Sequence, residues 1–80
     1  MIDFLKDCGF NEIEIQEIEE ANSKANLYNL NCNEFDVIKI INYLRENKVD
    51  NINLIIKDNI NLFFKSFEDF VNHYEKNIIS

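Results

Sequence analysis

Apolar residues recur along this chain at helical spacing. Val37, Ile40, Ile41 and Leu44 fall at i, i+3, i+4 and i+7, and Ile38 widens the stripe. The spacing predicts a helix ending near Asn47, capped by Asn31 or Asn33 and favoured by Glu34 or Asp36 in its first turn. Phe67, Phe70, Val71, Tyr74 and Ile78 make a second clean stripe, opened by Ser66 with Asp69 three residues on. Between these two stripes lies the densest apolar run, Leu62-Phe63-Phe64, flanked by turn-forming Asn59 and Asn61. Asp50 is expected to cap a short helix that stops near Asn59, with Ile52, Ile55 and Ile56 on its buried face.

The first half reads as two further helices. Asp3 to Cys8 forms a short one, closed by Gly9 as a left-handed C-terminal cap. Asn11 caps the next, and Glu14 completes a capping box. Phe10 and Ile15 stand at the positions of a hydrophobic staple, a spacing that Val49 and Leu54 repeat. This helix runs to about Ala21 or Lys24, with Ile15, Ile18, Asn22 and Ala25 on one face. Glu12, Glu17, Glu19 and Glu20 cover the opposite arc. Ile13 falls within that acidic arc and is expected to pack against the first helix. The alternation Ile13-Glu14-Ile15 has no second strand to pair with, so a strand is rejected. Asn26 to Cys32 reads as a linker that folds back with Leu27, Tyr28 and Leu30 tucked inside.

The two halves share a pattern. Leu5 to Ile15, LKDCGFNEIEI, aligns with Leu44 to Leu54, LRENKVDNINL, and Asn26-Leu27-Tyr28 aligns with Asn61-Leu62-Phe63. Helix, turn, short capped helix and apolar turn are thus written twice, at the period of stacked helical repeats. The reading is all-α: one domain over residues 1–80 with about five short helices. It forms a compact bundle of two pseudo-repeats, about 1–38 and 39–80. With Phe4-Leu5, Gly9-Phe10, Tyr43-Leu44, Val49 and Asn61-Leu62-Phe63 at these spacings, the chain resembles the helical repeats of the mitochondrial transcription termination factor family. That resemblance implies stacked helices and nucleic-acid binding along a basic concave face. The chain departs from the family in having no Pro and an acidic balance, so the resemblance bears more on architecture than on function.

Composition sharpens the picture. Eighty residues suit a single small core, and zero Pro with one Gly argues against a many-stranded fold. The net charge of −7 sits entirely in residues 1–36, which hold nine acids against Lys6 and Lys24. Such a half-domain repels phosphate and attracts basic protein surfaces. No apolar run is long enough to span a membrane, and the N-terminus has no signal-peptide pattern. Cys8 and Cys32 lack a CxxC pattern and are expected as buried, reduced thiols in a cytoplasmic protein.

Candidate chemistry is sparse. His73 lies beside an apolar stripe with no nucleophile or carboxylate placed to serve it. Cys8, Cys32 and His73 have no metal-ligand spacing, no calcium loop is written, and one Gly cannot build a phosphate loop. The bases Lys39, Arg45, Lys48, Lys57, Lys65 and Lys76 are spread over three helices. The expectation is therefore a non-enzyme without metal or cofactor. It is a small acidic regulator or inhibitor that places Glu12, Glu17, Glu19, Glu20 and Ile13 against a protein with a basic surface. One form is a nucleic-acid mimic, such as a phage- or mobile-element-encoded nuclease inhibitor. The alternative is a helical-repeat nucleic-acid-binding protein using Lys39, Arg45, Lys48 and Lys57, which the acidic balance disfavours.

Overall fold

The computed structural model describes residues 2–76, and in that span the fold is all-α. Six α-helices follow one another: α1 (Phe4–Asp7), α2 (Glu12–Ala21), α3 (Lys24–Cys32), α4 (Glu34–Glu46), α5 (Ile52–Asp58) and α6 (Phe67–Tyr74). A 3-10 helix, Ile60–Phe64, links α5 to α6. Among the described residues there is no strand. Ile78, assigned above to the last stripe, lies outside the described residues.

Two helices end in the same way. At the end of α1, Gly9 N–H donates to Lys6 O at 3.1 Å and Phe10 N–H to Leu5 O at 3.2 Å. At the end of α4, Lys48 N–H donates to Arg45 O and Val49 N–H to Leu44 O, both at 3.0 Å. Each pair is a Schellman turn, which closes a helix with one residue in the left-handed region. Gly9 has φ +93° and takes that conformation freely; Lys48 has φ 63° and does not. A Cβ on Gly9 would also lie 3.3 Å from the Arg45 guanidinium. Lys48→Gly should therefore raise stability by about 0.5–1 kcal/mol, and Gly9→Ala should lower it by about 1–2 kcal/mol. Urea melts of the two variants check both signs.

After the second turn the halves diverge by one residue. Asn11 caps α2, but the cap of α5 is Asn51 and not Asp50. Asn51 sits at φ 57°, ψ 42°, and its side chain makes no capping bond. The extra left-handed residue rotates α5, so Ile52 and Ile56 turn inward and Leu54 turns out. Leu54 thus forms no staple with Val49, whereas Phe10 and Ile15 are both buried at the start of α2.

The segment read as a linker is helix α3. Ser23 Oγ accepts from Asn26 N–H at 3.1 Å, and Leu27 and Leu30 bury one side three residues apart. Tyr28 faces solvent, and its hydrogen bond with Cys32 pushes its phenol above the ordinary value. Cys32 is exposed, contrary to expectation, while Cys8 is buried and its thiol is pushed up by that burial. Because α3 starts at Lys24, α2 stops at Ala21, and Ala25 lies on the exposed side of the next helix.

Two asparagines clasp the halves together. Asn22 Nδ2, beyond α2, donates to Lys57 O at 3.2 Å in the last turn of α5, and to Ile18 O at 2.9 Å. Asn33 stands at the N-cap position of α4 without capping it; its Nδ2 donates to Phe63 O at 2.8 Å and Lys65 O at 3.0 Å. The Asn22 bond brings the C-terminal ends of α2 and α5 together, and their N-terminal ends share the walls of one groove, so the two helices run parallel. Phe67 N–H donates to Asp36 Oδ1 at 3.2 Å at the start of α4, and the Tyr43 ring further along meets Phe67, Phe70 and Tyr74 at 5.9, 6.5 and 5.4 Å, so α6 packs against α4. The core between these pairs is aliphatic near α2 and α5 and aromatic near α6, with Phe63, Leu5, Ile18, Leu30, Ile40 and Ile41 fully buried. The radius of gyration, 11.8 Å, matches the roughly 11.6 Å expected of a compact chain this long.

Candidate functional site

α2 carries the acidic arc. The helix begins with a complete capping box: Asn11 Oδ1 accepts from Glu14 N–H at 2.8 Å, and Glu14 Oε1 accepts from Asn11 N–H at 2.9 Å. Glu14 is thus committed to the helix start. The other carboxylates are not used that way. Glu12, Glu17 and Glu20 are exposed and Glu19 is half-buried. Glu12 pairs with Lys6 at 3.8 Å, with both side chains largely in water, so the pair contributes little. Glu19 and Glu20 stand in the last turn of α2, where the helix dipole is negative and no base is present. Glu17 and Glu20 are also like charges three residues apart. Local energetics oppose the pair Glu17 and Glu20, and such conflict between levels is typical of positions kept for something other than the fold.

Ile13 corrects the sequence reading. It is 70% exposed and does not pack against α1. Helical geometry sets it directly opposite Ile15 and Ile18, between the exposed Glu12, Glu17 and Glu20. The structure therefore brings Ile13 and three of the four glutamates onto one solvent face. Glu19 lies on the flank of that face.

Beside α2 is a groove that sequence reasoning missed. Its volume is about 580 Å³, and its walls include Phe10, Glu14, Arg45, Lys48, Asp50 and Asn51. The Arg45 guanidinium lies 5.4 Å from the centre of the Phe10 ring and joins the two Schellman turns. Charges of both signs line it, so it has no strong preference for cation or anion. The groove arises from two turns 39 positions apart in the chain, which only the packed fold brings together. A smaller dent, about 220 Å³, lies over Lys39, Tyr43 and Phe67. Burial and the nearby Glu75 carboxylate push the Tyr43 phenol up.

The bases named for nucleic-acid binding are divided. Arg45 and Lys48 line the groove, Lys39 the smaller dent, and Lys57 is half-buried in α5. Cys8, Cys32 and His73 sit on or beside three different helices, α1, α3 and α6. Among the described residues, no three His, Cys, Asp or Glu side chains are grouped to hold a metal ion, and no helix is long and apolar enough to cross a membrane. Comparison with family models, with curated proteins and with solved structures finds no match for this chain.

Proposed function

We propose that this chain is a small protein-binding regulator or inhibitor that docks the outer face of α2 on a basic surface of a partner protein. The observation that supports it is the placement of Glu17 and Glu20: exposed, like-charged three residues apart with Glu20 in the negative last turn of the helix, and without a pairing cation among the described residues. Charge held at a local cost on a solvent face suits recognition of the opposite charge.

The test is affinity capture with the wild-type protein, followed by stopped-flow association with the purified partner. A variant with Glu12, Glu17, Glu19 and Glu20 all changed to Lys should associate about a hundredfold more slowly at low salt, and the difference should shrink as salt rises. Its stability should change by less than about 1 kcal/mol, since most of the altered side chains face water. A companion variant that keeps Glu19 controls for the half-buried position. Equal association of wild type and the four-Lys variant, or association indifferent to salt, would overturn the reading.

A further inference from the structure

We infer that the outer surface of α2 and α5 together seats a single basic, amphipathic helix of the partner, anchored on Ile13 and Leu54. This rests on the docking reading above and specifies what docks. The two helices are parallel neighbours, fixed at one end by the Asn22 bond to Lys57 O. Ile13 is 70% exposed and Leu54 42%, and neither belongs to the buried core cluster. Ile13 stands opposite Ile15 and Ile18, and Leu54 opposite Ile52 and Ile56, so both face outward. Both also lie in the first turn of their helices, so they stand at the same end of the parallel pair.

Neighbouring helices pack about 8–10 Å apart, which sets the spacing of the two aliphatic side chains across the surface. A helix laid across them would meet them with residues i and i+7, about 10 Å apart along its axis. Around the pair stand Glu12, Glu17 and Glu20 of α2 and Asp58 of α5, all exposed. An apolar centre with a charged rim is the layout of a protein interface. The rim charge selects Lys or Arg on the flanks of the partner helix. A mimic of a nucleic-acid backbone would need the carboxylates but not an isoleucine in their midst, so the aliphatic pair favours a helix over a phosphate-binding channel.

The probe is a fluorescent Lys/Ala peptide of about five helical turns carrying Leu at i and i+7. A Lys/Ala peptide of equal charge without Leu is the control. Fluorescence anisotropy should show wild type binding the Leu peptide about tenfold tighter than the control. The double variant Ile13→Ser, Leu54→Ser should lose that preference, bind the control as wild type does, and keep its melting curve. Wild type that does not distinguish the peptides, or a double variant that keeps the preference, overturns the inference. If the double variant keeps the preference while the four-Lys variant loses both peptides, the docking reading stands and only the anchor pair fails. If the four-Lys variant binds both peptides as wild type does, the docking reading fails and the helix seat with it.

Discussion

Phe70→Ala is expected to lose about 3–5 kcal/mol of stability, out of the roughly 5–10 kcal/mol available to a domain of this size. Phe70 is 2% exposed. Its ring lies 5.9 Å from Phe63, 6.2 Å from Tyr74 and 6.5 Å from Tyr43, so one side chain ties together the 3-10 helix, α6 and α4. Truncation leaves a cavity among rings that cannot close up without moving α6. An eight-residue helix has no stability of its own, so α6 depends on that contact. Ile41→Ala, at a fully buried position of α4, should cost about 2–5 kcal/mol. Urea denaturation measures both. Two variants with wild-type midpoints would mean that the core is not built around these side chains.

Asn33→Ala should cost about 2–4 kcal/mol. The amide donates to two backbone carbonyls, Phe63 O and Lys65 O, that flank the end of the 3-10 helix. Removing it strands both acceptors in a partly buried seam, and an unmet buried acceptor costs more than an average hydrogen bond provides. Asn33→Asp should be worse than Asn33→Ala. It keeps the shape but sets a carboxylate against two carbonyl oxygens, with no donor among the three. If Asn33→Asp proved as stable as wild type under urea, the amide would not be holding the seam.

Much of this fold can be read from single residues. The stripe Val37, Ile40, Ile41 and Leu44 is buried as its spacing requires. The Asn11 and Glu14 box, the Ser66 cap and the Gly9 turn form where local chemistry places them. Helix α3 was hidden because its three asparagines are weak helix formers and its apolar side is only two residues wide. Tertiary burial of Leu27 and Leu30 overrides that weak propensity. The rotation of α5 was hidden for a different reason. Aligning the halves makes Asp50 the counterpart of Asn11, and nothing local shows that Asn51 adopts a left-handed conformation one residue later. The acidic arc was legible because charge is written in the sequence. The exposure of Ile13 was not, since an isoleucine near a helix start can face either way until its neighbours are in place. Leu54 was invisible as a surface residue for the same reason as the α5 rotation.

The parallel placement of α2 beside α5 has a kinetic consequence. Parallel neighbours cannot be joined by a tight turn, so the chain must travel back through α3 and α4 before α5 can begin. The bonds that close the seam, Asn22 to Lys57 and Asn33 to Phe63, span 35 and 30 residues, close to half the chain. Such bonds stabilise nothing until the intervening loop has closed, and the entropy of closure must be met first. An up-down helical bundle of equal length forms its pairings between adjacent helices and avoids that delay. This chain therefore belongs among the slower folders of the all-α class, with a rate governed by the meeting of its two halves and not by the formation of its helices.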